Sequence, residues 1–352
     1  MKDLGEKAIS HYTKRFGETD MHVLVTGGAG FIGSHIVENL LARSYRVRVM
    51  DNLVTGSADY LPRHENLEFI KSDVTDYNAC LAAMDGVEGV FHLAAMSKVA
   101  PSVDPDMVDF CTRQNVIGTA NVLNAALHNK DRVRKVVYAA SSACYGANLI
   151  PTQEDLPPDN QTPYALTKYV AELYCEQYSK LFGLPTVRLR YYMAFGPRQP
   201  SSGPYRIASG VFMKQWMEGK PLTIMGSGQQ TRDFIHVAEL AEGNVRAFES
   251  DVTDATINVG TGRNVTILQI AQIFSDQFVF LPARVADIPH QLADTTRMRQ
   301  LLGWMPKIEV ISYFKDEVRR LVREDPLTYR KPKWLEQQES TMVGAAESLA
   351  ED

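Results

Sequence analysis

The amino-acid sequence predicts an α/β fold, a doubly wound parallel sheet with a smaller mixed α/β substrate-binding domain. Three observations predict it. Short apolar runs alternate with helix-period segments from residue 21 onward, and such alternation builds parallel strands covered by helices on both faces. The stretch TGGAGFIG, residues 26–33, stands between the first apolar run and the first helical pattern. After residue 197 the texture becomes rich in Gly, Pro and Ser, which marks a second unit assembled from later segments.

The elements follow in order. Residues 1–20 are mixed in charge, lack the apolar core of a signal peptide, and read as an extension before the fold. From 21, an apolar run, a glycine turn and a helix lead to a second run. That helix carries Ile32, Ile36, Leu40 and Leu41 on one stripe. LEFIKSDV, VEGVFHLAA and VRKVVYAASS supply further strands, separated by helices around 76–85, 107–129 and 162–182. LPTVRLRYYMAFG is another strand entering a loop, and a helix is expected near 207–218. RDFIHVAELAEGNVRAFE and ATINVGTG read as strand-plus-helix material rejoining the sheet. The cofactor domain is therefore expected over 21–190 with 235–262 returning to it. The substrate domain takes 191–234 and 263–325, with a helix at TILQIAQIF, a strand near ARVAD and a terminal helix. The polar end, 326–352, reads as a disordered tail.

Bulk properties narrow the function. At 352 residues the chain is one large domain or two intimate ones. An apolar content of 45% with 22% charged residues suits a soluble globular protein. The net charge of −5 comes without a basic patch, which argues against nucleic acid or an anionic membrane as partner. No apolar stretch approaches the ~20 residues of a membrane span. Cys80, Cys111, Cys144 and Cys175 are scattered, with neither a CxxC pair nor metal spacing. They read as buried thiols in a reducing compartment, the cytoplasm, and no metal site is expected.

In TGGAGFIG, Gly27 permits a tight turn, Gly30 lets backbone approach a pyrophosphate, and Gly33 lets helix and strand pack closely. The helix N-terminus offers free N–H groups to the phosphates. Asp51 ends the next strand, where a carboxylate accepts from both adenosine ribose hydroxyls and repels a 2′-phosphate. This Rossmann-type pattern points to NAD rather than NADP. Asp73 and Val74 end the third strand, and the aspartate is expected to meet the adenine amino group. Leu93, Ala94 and Ala95 end the fourth, beside the pyrophosphate.

TPYALTKYVAE places Tyr164 and Lys168 four apart, on one helix face. A cation there favours phenolate over phenol and is expected to bring the tyrosine from ~10 toward neutrality, making a usable base. The spacing alone recurs in many amphipathic helices, so context decides. YAASSACYG follows the fifth strand and puts hydroxyls at the carboxyl edge of the sheet, where such folds bind ligands.

The glycine turn, FHLAA, AASSACYG, PYALTK, RLRYYMAFGPRQ and TRDFIHV occur in the order seen in extended short-chain dehydrogenase/reductases, and residues 21–322 resemble that family. The resemblance implies a triad of Ser141, Tyr164 and Lys168, Ser141 standing four before Tyr145. Its neighbour Ser142 is the alternative and is assigned to the substrate. The cofactor set is expected to include Phe31, Ile32, Asn52, Asn115 and Tyr191 as well as Tyr164 and Lys168. Tyr164 would take the sugar 4-hydroxyl proton as hydride leaves carbon 4, Lys168 would hold the phenolate, and Ser141 would relay the proton. His64, His92, His236 and His290 read as surface or hydrogen-bonded core residues.

Members that eliminate water resemble one another in an Asp-Glu pair after the catalytic hydroxyl, and related decarboxylases carry a glutamate at the second position. Ser142 and Ala143 stand there in this chain. Alanine does no acid–base work, which leaves epimerisation as the simplest outcome. The resemblance thus implies a nucleotide-sugar 4-epimerase, with UDP favoured. The alternatives are a 4,6-dehydratase or 4-dehydrogenase on a GDP or dTDP sugar, and a non-catalytic NAD-binding regulator. Met193 replaces an asparagine usual in such epimerases. For the nucleotide end, Leu222 and Ile224 are expected to wall the base. Arg232 and Arg284 would hold the diphosphate, and Asp287 would accept from a ribose hydroxyl. Helices near 107–129 and 162–182 would pair across a two-fold axis, so a homodimer is expected.

Overall fold

The computed structural model describes residues 21–203, 205–283 and 287–350, with side chains to residue 341. The expected N-terminal extension and Arg284 lie outside the described residues. In chain order, β1 (His22–Thr26), α1 (Phe31–Leu41), β2 (Arg46–Asp51), β3 (Leu67–Lys71), α2 (Tyr77–Ala83) and β4 (Gly89–His92) come first. α3 (Val99–Ser102) and α4 (Val108–Thr112) follow, and a π turn at Arg113–Ile117 joins α4 to α5 (Gly118–His128). Then come β5 (Lys135–Ser141), α6 (Pro163–Phe182), β6 (Thr186–Tyr191) and β7 (Met193–Phe195). α7 (Ala208–Met217), β8 (Leu222–Met225), β9 (Thr231–His236), α8 (Val237–Glu249), β10 (Ala255–Val259) and β11 (Asn264–Thr266) lead on. The last elements are α9 (Ile267–Phe274), β12 (Phe278–Leu281), α10 (Thr296–Leu302), α11 (Val310–Glu324) and α12 (Lys333–Ala350).

Seven parallel strands form the main sheet in the order β10-β6-β5-β4-β1-β2-β3. The order reverses between β1 and β4, and ligands bind such sheets at the carboxyl edge of that switch point. The central strands β1, β4 and β5 are buried on both faces and read as nearly continuous apolar runs, whereas the edge strand β3 is half-buried to exposed. Along β1, Val23 and Val25 join a core with α1, α8 and α10. Leu24 points the other way, into a core with α2, α5 and α6. A third core gathers Phe195, Trp216, Leu222, Ile224, Phe274 and Phe314 around the two smaller sheets, β11-β9-β7 and β12-β8.

The division between the two halves differs from the expectation in two respects. The TRDFIHV strand pairs with β7 in register Met193↔Phe234 and stays in the substrate half. Only α8 and β10 rejoin the main sheet, and α10 packs with them through Met298 and Leu302. β7 starts two residues after β6 ends and captures β9 before it can return. The strand expected near ARVAD forms earlier, at Phe278–Leu281, while residues 284–286 lie outside the described residues.

The expected disordered tail is corrected. α12 begins at Lys333, and Leu335 is buried in the third core. The Trp334 indole N–H donates to the Ile273 carbonyl at 2.8 Å, and the Trp216 indole donates to the Arg330 carbonyl at 2.9 Å. Polar composition concealed a short apolar anchor whose partners lie about sixty residues upstream or further. Leu335→Ala is expected to destabilise the protein by about 2–5 kcal/mol, the usual cost of emptying a buried leucine site. Urea unfolding checks this, and an unchanged midpoint would return residues 333–350 to the status of a tail.

At the carboxyl end of β4, His92 is fully buried between two hydroxyls. Nδ1 lies 2.7 Å from Thr26 Oγ1 and Nε2 lies 2.9 Å from Thr119 Oγ1. Burial, then the Lys168 ammonium, push the imidazole from 6.5 down to about 3. The folded state therefore holds it neutral while the unfolded chain protonates it below 6.5. Stability supplied by this site is complete above pH 6.5 and is lost as pH falls toward 3. His22, His35 and His236 shift the same way. His92→Gln is expected to flatten, without abolishing, the fall in unfolding free energy between pH 7 and pH 4. Denaturant titrations at several pH values measure that slope.

Candidate active site

The glycine turn follows β1, which ends between its sheet neighbours β2 and β4. Gly27 adopts φ +70° and donates its N–H to the Met50 carbonyl at 2.8 Å. A Cβ on Gly27 would stand 2.7 Å from the Ala94 nitrogen, and one on Gly33 would stand 2.1 Å from the Gly27 carbonyl oxygen. Gly30 differs, since a Cβ there would meet only the Gly27 oxygen, at 3.1 Å. Its outer side is an open cradle. α1 has no side-chain cap, so the first-turn N–H groups of Phe31, Ile32 and Gly33 are left for an anion. These features fit the diphosphate of a dinucleotide.

Asp51 is buried behind the turn and accepts from the Ala29 N–H at 3.0 Å and the Leu53 N–H at 2.8 Å. Burial lifts its carboxyl above the usual range while the two backbone donors oppose the shift. One backbone bond per oxygen leaves acceptor capacity for ribose hydroxyls.

Asp73 is taken up differently from the expectation. Its carboxylate accepts from Asn52 Nδ2 at 2.7 Å, from the Thr75 N–H and hydroxyl at 2.8 Å each, and from Gln114 Nε2. These donors fill its acceptor sites, so it ties loops together rather than offering itself to adenine. Asn52 is occupied by Asp73 and the Val54 N–H. Val74 points into the core against Gly118, which leaves its backbone as the part able to meet a ligand. Leu93, Ala94 and Ala95 are half-buried at the end of β4, and the Ala94 N–H donates to Thr26 Oγ1 at 3.3 Å.

The triad residues come together. Ser141 ends β5 and caps the next turn, accepting from the Ala143 N–H at 3.2 Å. α6 starts where Thr162 accepts from the Ala165 N–H and Pro163 fills the first turn. The Tyr164 hydroxyl then donates to Ser141 Oγ at 3.4 Å. Between the neighbouring serines, the structure selects Ser141. Lys168 is buried one turn along α6, its Nζ 4.3 Å from the centre of the Tyr138 ring.

The electrostatic expectation is corrected. Burial pushes the Tyr164 phenol up, and the Ser141 hydroxyl only partly opposes this. Burial also drives Lys168 down to about 7, against the pull of Cys175, Glu172 and Cys111. Desolvation outweighs the opposing influences at both groups, so the phenol holds its proton more tightly than usual and Lys168 titrates near neutrality.

Several residues that the sequence reading missed support this cluster. Glu172, one turn beyond Lys168, holds Arg190 at 2.6 and 3.0 Å. Arg190 donates to the Tyr145 hydroxyl at 2.8 Å, and Tyr145 donates to Asn258 at 2.6 Å. Continuing the fourfold spacing from Tyr164 through Lys168 to Glu172 would have found the first of these. Asn115 sits on the π turn with its carboxamide bonded to both Met96 backbone groups and to Thr167 Oγ1. It locks the loop after β4 to α6 and is not free for the cofactor contact expected of it. Tyr191 likewise turns its hydroxyl to Asn244, on α8.

The substrate residues divide. Leu222 and Ile224 are fully buried in the third core and cannot wall a base. Strand alternation puts Thr223 and Met225 on the other face of β8. Arg232 and Asp287 do meet, at 2.6 Å. Met193 opens β7 half-buried, and Ser142 is buried in the turn after β5. Of the histidines, His64 accepts from the Asn66 N–H on the surface and His290 contacts Thr231. His236 caps α8, and its Nε2 has no hydrogen-bond partner among the described residues. All four cysteines are buried and unpaired. Among the described residues no group of His, Cys, Asp or Glu is placed to hold a metal ion, and no helix is long and apolar enough to cross a membrane.

Comparison with known proteins agrees with this geometry. Residues 23–260 match the model of the NAD dependent epimerase/dehydratase family. The chain is 35% identical over 300 residues to a UDP-glucose 4-epimerase of Mycolicibacterium smegmatis, covering 82% of this chain and 94% of that one. It is 31% identical over 322 residues to a UDP-N-acetyl-alpha-D-glucosaminuronate decarboxylase of Bacillus cytotoxicus, covering 83% and 97%. Among solved structures it resembles the UDP-glucuronic acid 4-epimerase of Bacillus cereus, in complex with UDP-glucuronic acid and NAD. There the TM-score is 0.78 and the identity 31%, with 86% of this chain and all of that one covered. A glycine cradle, a carboxylate at the end of β2 and a Ser–Tyr–Lys cluster on one sheet edge thus coincide with a family match over most of the fold, and the chain belongs to the NAD-dependent epimerase/dehydratase family.

Proposed function

We propose that this protein inverts carbon 4 of a nucleotide-diphosphate sugar, with a UDP-hexose, UDP-hexuronate or UDP-N-acetylhexosamine as substrate. The observation that carries this reading is the Tyr164–Ser141 hydrogen bond at the carboxyl edge of β5 with Lys168 one turn away. Bound NAD supplies a hydride acceptor that can return the hydride to the opposite face of the sugar. The residues manage the proton. Tyr164 donates to Ser141, which leaves the Ser141 hydroxyl free to donate to the sugar oxygen. Lys168, titrating at about 7, can hold the proton that Tyr164 must give up before accepting one from the 4-hydroxyl. A 3.4 Å contact of this kind can tighten when substrate fills the site.

Elimination or decarboxylation would call for an acid–base group beside Ser141. Ser142 and Ala143 supply none. Burial holds the Cys144 thiol at about 12, so it stays protonated near neutral pH. Arg232 and Asp287 remain the residues proposed for the diphosphate and ribose, the ion pair between them exchanging for substrate contacts. Four unpaired buried cysteines suit a reducing compartment such as the cytoplasm.

The partner beyond substrate is proposed to be a second copy of the chain. Leu166, Leu173, Tyr174, Leu181 and Phe182 are exposed along α6, beside Ile117 of the π turn. Spacings of seven and eight place much of this set on one apolar strip. Sedimentation at micromolar concentration is expected to give twice the 39.4 kDa chain mass, and a Leu173→Glu variant is expected to sediment as a monomer.

The activity is tested by incubating the protein with UDP-, GDP- and dTDP-hexoses and following products by NMR. A 4-epimer supports the proposal. A 4-keto-6-deoxy sugar or accumulated NADH would replace it with a dehydratase or a dehydrogenase, and no turnover across the panel would favour a regulator. Tyr164→Phe is expected to lower turnover by ~10²–10⁴, the usual size of an acid–base contribution. Undiminished turnover would remove Tyr164 from the mechanism.

A further inference from the structure

Between β7 and α7 the chain leaves the substrate half, touches the cofactor half and returns. Gly196 turns the corner at φ +131°, and Gln199 N–H closes a turn on the Gly196 carbonyl at 3.2 Å. Arg198, inside that turn, takes φ +66°, in the left-handed region that side chains other than glycine's rarely adopt. Such a conformation persists where the surroundings over-determine it.

Its side chain does so. Nη1 donates to the Tyr60 carbonyl at 2.9 Å, and Nη2 reaches Glu38 Oε2 at 2.5 Å and His35 Nδ1 at 3.1 Å. His35 Nε2 in turn lies 3.1 Å from the Pro197 carbonyl. These contacts assign one tautomer: Nε2–H donates to Pro197 and Nδ1 accepts from Arg198. A neutral imidazole is thus clamped between two consecutive residues of the loop. His35 and Glu38 belong to α1, the helix that starts at the glycine cradle. Tyr60 follows Ser57, whose N–H donates to the Ala29 carbonyl in the glycine turn at 3.0 Å. Arg198 therefore grips both segments that frame the dinucleotide cradle.

The far end of the loop lies at the catalytic side. Tyr205 is half-buried, and its phenol is pushed up by burial and by the neighbouring Cys111. Cys111 Sγ is 3.3 Å from Thr167 Oγ1, next in sequence to Lys168. At the near end, Ser209 Oγ donates to Gln199 Oε1 at 2.8 Å. Fastened at Arg198, the segment is held against the elements that frame the cofactor cradle.

We propose that Arg198 is a positioning residue that fastens the 196–203 segment of the substrate half to α1 and Tyr60 of the cofactor half, and so sets the affinity for the sugar nucleotide. This inference rests on the reading of the crevice as a nucleotide-sugar site. Arg198 does not touch the reacting atoms, so its loss acts on binding and not on the chemical step.

The test uses the full-length, NAD-loaded protein and its Arg198→Ala and Arg198→Lys variants, with UDP and UDP-glucose as probes in calorimetry. Trypsin cleavage after exposed Arg206 is timed in parallel. Arg198→Ala is expected to weaken binding of both probes tenfold or more and to speed cleavage at Arg206 tenfold or more. On whichever sugar the wild type turns over, KM should rise while kcat stays within threefold. Arg198→Lys, which can reach Glu38 but cannot fork to three acceptors, is expected to recover part of the loss. Unchanged probe affinity and cleavage rate, or a lower melting temperature with KM unmoved, would overturn the proposal. If the wild type binds neither probe, the UDP-sugar reading fails by itself. The cleavage rates then still judge the clasp, and equal rates would overturn it too.

Discussion

Gly33 lies against the Gly27 carbonyl so closely that a Cβ would stand 2.1 Å from its oxygen. The rest of the structure depends on that contact, because it sets where α1 leaves the sheet. Only glycine allows so close an approach of helix and strand. From this seat α1 aims its uncapped N-terminus at the cradle. Asn39 of α1 and Arg43, just past its end, hold Glu242 of α8, while Glu38 and His35 hold Arg198. One steric limit thus orders the anion site, the returning helix and the edge of the substrate half.

The opposite limit, desolvation, governs the catalytic cluster. Lys168 is buried and Tyr164 half-buried, and desolvation moves each toward its neutral form. A phenol and an amine of that kind differ from phenolate and ammonium by a single internal proton transfer, with no change in net charge. A positively charged nicotinamide ring favours the charged arrangement when it is present. Behind the pair, the Glu172–Arg190 ion pair and the Tyr145–Asn258 bond leave little slack. Removing one partner of such a buried pair strands a charge, so this support is all-or-none.

Much of the first domain was legible because its signals are local. A strand–glycine–helix succession, apolar runs buried on both faces, and an acidic strand end each report their own neighbourhood. The second half was less legible. RDFIHV carries a good strand pattern, but its partner was decided by β7, two residues past β6. Leu222 and Ile224 were assigned to the base with no strand expected at LTIM, although the chain forms one there. Which face of that strand meets the third core depends on α7, α9 and α11, and no pattern within LTIM announces them. The end of the chain was misread because its apolar anchor is short and its partners are distant.

The sequence by itself determined the α/β succession, the glycine cradle, the Tyr164–Lys168 spacing and the serines that face them, since each needs only neighbours within a few residues. Tertiary structure alone decided that Ser141 rather than Ser142 meets Tyr164 and that the phenol keeps its proton. It also decided that Asn115 and Asp73 spend their hydrogen bonds on the protein, and that Arg198 spans two halves of the molecule. The physical reason is common to all four. Burial and hydrogen-bond saturation depend on groups brought together from far along the chain, and neither spacing nor residue type reveals how many such groups arrive.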